Sequence, residues 1–316
     1  MPTADDIRWF KQQFRPQIEG VLPGTPFDLD MLVAIACQET GFIWSVLRKV
    51  PLPLDQILAL CVGDTIDYQG PGKGRQAFPR NKAALVAETD GQQMFDIARK
   101  ALEDMAVHVP GYSGVVQNPD KFCHGFGVFQ RDLQFFGQDP GYFLNQNYQM
   151  FSHTLDHCLL ELRRGLNIRG YEAKTSLTDF EFTTVAIAYN KGSYNTKKGL
   201  KQGYFDGNKY YGEWIFDYVQ LSRTVDAAAA ADVGPGRHAV VARDGLRLRG
   251  GPGTDFPYSR TLPLGTELTV VSVESGNPDW VCVDLEDDGL LDGYVFAAFL
   301  AAATGPHGGE DVPEPE

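Results

Sequence analysis

The stretch "DLDMLVAIACQETGFIW", residues 28–44, carries a carboxylate where an apolar side chain is expected. Leu32, Ile35 and Ala36 precede Glu39 at the spacing of one helical stripe, which places Glu39 on the packed face near the end of its helix. Charged side chains are almost never buried without a partner. Burial disfavours the ionised form and raises a carboxyl pKa. A carboxyl still protonated near neutral pH has the chemistry of a general acid. The plain alternative is a glutamate at a frayed helix end or in a structural ion pair. Other reactive side chains are less pointed. His153 and His157 stand at i and i+4, a spacing that could hold a metal, but no third ligand is evident. A solvated helix face accounts for them, and His124 stands apart. Cys37, Cys61, Cys123, Cys158 and Cys282 form no CxxC pair and no metal-ligand spacing with histidine. They read mostly as buried free thiols, with a pairing of Cys37 with Cys61 or Cys123 left open. Neither a metal nor a cofactor is called for.

The elements that must position Glu39 are mainly helical up to residue 225. Thr178 and Glu181 make a Thr-x-x-Glu capping box that opens "FEFTTVAIAYNKG", which closes at Gly192. Leu155, Leu159 and Leu162 share one face of a helix that starts at Ser152 and ends before Gly165. Phe95, Ala98, Leu102 and Met105 line another. Residues 63–82 are rich in glycine and proline and read as a loop or small hairpin. The run "DAAAAADVGPGR" marks a linker at 226–236. Beyond it the period changes to two, and five or six short strand-like runs predict a small barrel over 237–303. Residues 304–316 are polar and read as a disordered tail. The fold class is therefore multi-domain: a mainly α domain at 1–225 and a small all-β barrel.

Three segments of the first domain carry a resemblance: Gln38-Glu39-Thr40, Gly127-Val128-Phe129-Gln130 and Ala188-Tyr189-Asn190-Lys191-Gly192. In order and character they resemble the signature stretches of lysozyme-like peptidoglycan hydrolases, the superfamily of soluble lytic transglycosylases and goose-type lysozymes. That family has Glu-Ser, Gly-Leu-Met-Gln and Ala-Tyr-Asn-Ala-Gly at these places, so Thr40, Phe129 and Lys191 are departures. Residues 45–120 offer no comparable match. The resemblance implies a glycosidase that cleaves between N-acetylmuramic acid and N-acetylglucosamine, with Glu39 giving its proton to the leaving oxygen. It implies that Gln130, Tyr189 and Asn190 line the cleft, with Gly127 and Phe129 beside the sugar chain. Inversion needs a second carboxylate as base. Asp64 is the preferred candidate and Asp67 the second, although a loop aspartate shaping a turn is the plainer reading. Lytic transglycosylases need no such base and leave an anhydro sugar. Chitinase- or chitosanase-like hydrolysis and a catalytically silent wall-binding protein are the remaining alternatives.

The second domain resembles the bacterial SH3 module. Leu246-Arg247-Leu248-Arg249-Gly250-Gly251-Pro252 opens it, Leu264-Gly265-Thr266 makes its central turn, and Gly293-Tyr294-Val295 leads to Leu300. Such modules often bind peptidoglycan, and Tyr258, Trp280 and Tyr294 are the candidate stacking faces, each of which could equally be core. The expected partner is thus peptidoglycan, engaged by a monomer. With a net charge of −13 and no basic stripe, nucleic acid is not expected. No run reads as a membrane span, and "MPTADDIRWFKQQF" lacks the features of a secretory signal. Action on the wall, in the periplasm or outside the cell, would then require a non-classical route such as phage lysis or a specialised secretion system.

Overall fold

The computed structural model describes the chain apart from residues 226–232, 243–244, 254–255, 275–276, 278–279 and 304–316. Most of the expected linker and all of the expected tail lie outside the described residues. Contacts divide the chain into two compact units, Met1–Asp226 and Ala227–Glu316. The first is mainly helical and the second is built of antiparallel strands.

The first unit opens with α1 (Ala4–Val21), whose capping box is made by Thr3 and Asp6. The Asp6 carboxylate, fully buried, also takes a 2.5 Å bond from Arg48 Nε. Its own burial opposes ionisation, but these partners hold its pKa below the usual value. Ile7, Phe10, Phe14 and Ile18 recur at helical spacing and bury one face of α1. The central element is α2 (Leu29–Leu47), capped by the Asp28 carboxylate on Met31 N at 3.0 Å. By length and composition α2 is the one described helix that could cross a membrane. In the fold it is a core helix, with Leu32, Val33, Ile35 and Ala36 wholly enclosed.

Glu39 therefore stands in the middle of α2, not near its end as the sequence suggested. Gly41 does not stop the helix. It makes room for Pro2, whose Cγ would lie 2.4 Å from a Cβ at that position. The same correction applies to α7 (Phe151–Arg169), which runs through Gly165 and ends at Gly170 in a left-handed cap. A Cβ on Gly165 would sit 2.7 Å from Val185 O of α8 (Asp179–Lys191), so this glycine brings two helices together. The capping box of α8 and its left-handed Gly192 cap are as expected.

Short helices α3 (Leu54–Ala59) and α4 (Lys82–Val86), with the longer α5 (Gly91–His108), surround a small antiparallel sheet of order β1-β2-β3. Its strands are β1 (Val62–Thr65), β2 (Cys123–Phe126) and β3 (Arg131–Asp132). After α6 (Pro140–Leu144) and the α7–α8 pair, α9 (Tyr211–Thr224) packs along α2. Buried Lys11 of α1 closes the unit: its ammonium donates to Ser222 O and Val225 O, each at 2.7 Å, and pairs with Asp30 at 2.6 Å. A cation at a helix C-terminus satisfies carbonyls that the helix itself leaves free. Arg223 adds a second tie, reaching Asp28 at 2.8 Å and Asp179 at 2.7 Å.

The second unit contains β4 (Gly236–Val240), β5 (Leu246–Arg249), β6 (Tyr258–Leu262), β7 (Glu267–Val273), β8 (Trp280–Asp284), β9 (Gly293–Phe296) and β10 (Leu300–Ala302). They pair in the order β10-β4-β7-β8-β9-β5-β6. Leu246, Leu248, Val270, Val281, Val283 and Val295 form much of the core. Gly251 is required by close approach, since a Cβ there would meet the Phe256 ring at 2.4 Å.

Candidate active site

Five pieces of chain from outside α2 meet around Glu39: β1, the loop after β2, α7, α8 and α9. The loop Gly127–Gln130 joins β2 to β3 in a tight turn, closed by Gln130 N donating to Gly127 O at 3.0 Å. Gly127 has φ of 79°, and a Cβ on it would collide with Thr154 Oγ1 at 2.6 Å, so both conformation and crowding require glycine there. Hydroxyls from the surrounding helices hold this loop by its backbone. Thr40 of α2 donates to Val128 O at 2.6 Å, and Tyr189 of α8 donates to Phe129 O at 3.0 Å. Thr154 of α7 accepts from Phe129 N at 3.3 Å. The three motifs read from the sequence are thus physically joined, each through a named hydrogen bond.

Gln130 is fixed more tightly than its exposure suggests. Its amide donates to Gly127 O at 2.9 Å and Cys61 O at 3.4 Å, while its own backbone has a left-handed φ of 51°. The side chain lies across a pair of glycines, Gly63 and Gly125, which face each other between β1 and β2. A Cβ on Gly125 would sit 2.2 Å from Gln130 Oε1, and one on Gly63 would sit 3.1 Å away. The glycine pair is a seat for the glutamine amide.

Glu39 itself is half-buried, and its Oε1 accepts a 2.9 Å bond from the hydroxyl of Tyr211. Burial pushes its pKa up from 4.5 to about 8, the nearby Asp64 charge adds to that, and the Tyr211 bond opposes it. At neutral pH this carboxyl is mostly protonated. Tyr211 was not anticipated from the sequence. It opens α9, far along the chain, and nothing in "NKYYGEW" distinguishes a tyrosine aimed at a carboxyl from one packed in a core.

Glu39, Asp64 and Gln130 each line two adjoining cavities, of about 430 Å³ and about 250 Å³. The larger extends toward Arg131, Arg164, Asn190 and Lys191. The smaller extends toward Gln38, Phe42, Tyr204 and Trp214. Together they make a groove whose junction is occupied by those three shared residues. Asp64 is exposed there, with a left-handed φ of 46°, and no described residue hydrogen-bonds or ion-pairs with its carboxylate. A non-glycine residue held in that backbone region is strained, a condition met often at functional sites.

Several expected site residues lie elsewhere or do something else. Asp67 lines neither cavity: its Oδ1 accepts from Arg75 N at 2.8 Å and shapes the loop that follows. Phe129 lines the larger cavity, but it is 2% exposed and its ring packs near Phe151 in the core. Tyr189 lines the larger cavity, with its hydroxyl donating to Phe129 O. Asn190 is exposed on the wall of the larger cavity. His157 pairs with Asp139 at 3.2 Å, and burial lowers its pKa. His124 joins Arg75 around Asp132, whose pKa those two partners hold below the usual value against the effect of burial. All five cysteines are buried and free, Cys37, Cys61 and Cys123 included. Among the described residues, no group of three or more His, Cys, Asp or Glu side chains is placed to hold an ion.

In the second unit, Trp280 is a core residue packed on Phe296 at 5.5 Å between ring centroids, not a stacking face. Tyr294 is half-buried against the same core. Tyr258 is exposed, with the Arg247 guanidinium 4.4 Å from its ring centroid.

No curated protein and no solved structure matches the chain. A family match falls within the second unit, where the opening Leu-x-Leu-Arg-Gly-Gly-Pro and the strands from β5 to β10 lie. Residues 244–301 are a bacterial SH3 domain.

Proposed function

We propose that the first unit is a peptidoglycan glycosidase, cleaving between N-acetylmuramic acid and N-acetylglucosamine, and that the SH3 domain holds it on the wall. The observation that carries this reading is a carboxyl, its pKa pushed up to about 8 by burial, at the junction of two adjoining cavities, beside an aspartate with no partner among the described residues. Glu39 gives its proton to the glycosidic oxygen as the bond to the anomeric carbon breaks. Water adds to that carbon, and its proton passes to Asp64. Return of the proton to Glu39 through solvent completes the cycle. Tyr211 fixes the orientation of the acid, and the Gly127–Gln130 loop forms the adjoining wall.

A groove continued on both sides of the acid suits a polymer better than a small substrate. Tyr204, 78% exposed, and Trp214 offer apolar faces to sugar rings in the smaller arm. Tethering through the SH3 domain would raise the local concentration of glycan at the groove without new contacts there. The test is mass spectrometry of fragments released from purified peptidoglycan by the wild type and by Glu39→Gln. Reducing ends that disappear in the variant support the hydrolase, and the identity of the terminal sugar shows which bond is cut. Anhydro-muramyl ends would replace it by a lytic transglycosylase and remove Asp64 from the mechanism. No fragments from the wild type would refute the catalytic reading, and retained pull-down on walls would then leave a binding protein.

A further inference from the structure

The wall of the larger cavity contains a cation whose hydrogen bonds are not accounted for. Arg131 follows Gln130 directly, and its side chain is 8% exposed. The Nε and Nη1 groups are buried and donate to no atom of the described residues. The remaining Nη2 is 3.8 Å from Asp139 Oδ2, a separation that attracts charge but is too long for a hydrogen bond. Asp139 has other work: its Oδ1 caps α6 by accepting from Tyr142 N at 3.3 Å, and Oδ2 faces His157 at 3.2 Å. The guanidinium carbon lies 4.8 Å from the ring centroid of Phe135 and 5.7 Å from that of Tyr142, and these aromatic rings fix it in place. A buried guanidinium with free donors is costly unless something accepts from them.

Apart from Asp64, which stands at the junction of the groove without a partner among the described residues, the other charges on this wall are largely neutralised. Glu161 pairs with Arg164 at 2.7 Å and Asp132 with Arg75 at 2.6 Å, and Glu39 is an uncharged acid at neutral pH. Lys191, one of the departures from the third motif, ends α8 exposed on the same cavity and makes no ion pair with a described residue. Two cations thus border one arm of the groove, one buried and rigid, the other exposed and mobile in its reach.

We propose that Arg131 and Lys191 form a carboxylate-binding subsite in the larger arm of the groove, which selects an acidic glycan over a neutral one. This rests on the glycosidase reading and narrows it. Muramic acid bears a lactyl carboxylate, free or extended by a peptide that carries carboxylates of its own, whereas chitin bears none. Nε–H and the Nη1 group lie on different edges of the planar guanidinium, so each offers a carboxylate oxygen one charge-assisted hydrogen bond rather than a shared fork.

The test is calorimetric binding to the full chain carrying Glu39→Gln, so that no ligand is consumed. The probes are a tetrasaccharide of alternating N-acetylglucosamine and N-acetylmuramic acid, the same compound with its lactyl carboxyls converted to methyl amides, a peptide-bearing form, and chitotetraose. The readout is the ratio of acid to neutral affinity within each variant, which cancels any loss of folded protein. Binding that none of the groove substitutions changes is assigned to sites elsewhere on the chain, the SH3 domain included. The acid form should bind about tenfold tighter than the amide, the equivalent of one charge-assisted hydrogen-bonded pair. Arg131→Met, which keeps an unbranched apolar stem between the two rings, should bring the ratio near one, and Lys191→Ala should reduce it by about half. Preference restored by the peptide-bearing form would assign the anion to the peptide; preference for the free acid alone would assign it to the lactyl group. Equal affinities for acid and amide, or a ratio unmoved by both substitutions, would overturn the subsite and leave the glycosidase standing. No binding of any glycan would overturn both.

Discussion

Glu39→Gln should change the pH dependence of stability in a way that needs no substrate to observe. The folded chain raises this carboxyl from 4.5 to about 8, so the folded state retains a proton that the unfolded chain gives up. Stability linked to Glu39 is fully present below pH 4.5 and is lost progressively as pH rises toward 8. Above 8 the loss is complete. Between pH 5 and pH 9 the linkage relation gives roughly 4 kcal/mol for this span at full strength, since each pH unit corresponds to about 1.4 kcal/mol. Glu39 is open to the groove on one side, and water there reduces the expected loss to about 2–4 kcal/mol. Glutamine has nearly the same shape and does not ionise. The variant should therefore gain on the wild type by that amount between pH 5 and pH 9, whatever their difference at pH 5. Urea unfolding followed by tryptophan fluorescence measures this, because Trp9, Trp44 and Trp214 belong to the first unit and Trp280 alone reports on the second. A constant difference between the two proteins across the whole range would mean that Glu39 ionises as freely in the fold as in water, and the general-acid argument would fail with it.

Tyr211→Phe removes the donor that favours the Glu39 carboxylate, so the alkaline limb of a cleavage profile should move up by about 1 pH unit; an unmoved limb would show that the tyrosine does not tune the acid. Gly125→Ala places a methyl group 2.2 Å from Gln130 Oε1 and should cost about 1–3 kcal/mol in urea unfolding. Adding Gln130→Ala should recover most of that cost, and simple additivity of the two losses would contradict the seat described for the amide. Lys11→Met leaves two α9 carbonyls and Asp30 without their buried cation. A loss of about 3 kcal/mol is expected by urea unfolding, and a neutral effect would mean that Arg223 alone suffices to hold the end of α9.

The placement of Glu39 was legible because a carboxylate on an apolar stripe violates a pattern that depends only on neighbours in sequence. The Thr178–Glu181 capping box was legible for the same reason: its partners are three residues apart. Glycine misled where its purpose was tertiary. Gly41 and Gly165 resemble helix stops, yet each is set by an atom far away in sequence, Pro2 in one case and Val185 O in the other. Tyr189 does line the larger cavity, but that its hydroxyl also holds a carbonyl of the neighbouring loop is something no spacing rule reveals. Trp280 failed as a stacking residue because a period-two strand alternates faces, whereas β8 is buried at all five of its positions. Arg131 was visible beside Gln130 all along, but its significance lies in donors left without acceptors, and that is a property of the assembled cavity.

The order in which the chain is made gives the Lys11 clasp a further meaning. The acid is synthesised early and Tyr211 follows 172 residues later, while the carbonyls that receive Lys11 are 211 and 214 residues beyond it. At about 5–20 residues per second, a growing chain holds Glu39 without its tyrosine for roughly 10–35 seconds. During that interval α1 and α2 can form, but the acid lacks the bond that orients it and the groove lacks the wall that α9 supports. The clasp of Lys11 on the end of α9 therefore cannot close until Val225 has been made. A nascent or C-terminally shortened first unit is one that has the acid but cannot aim it.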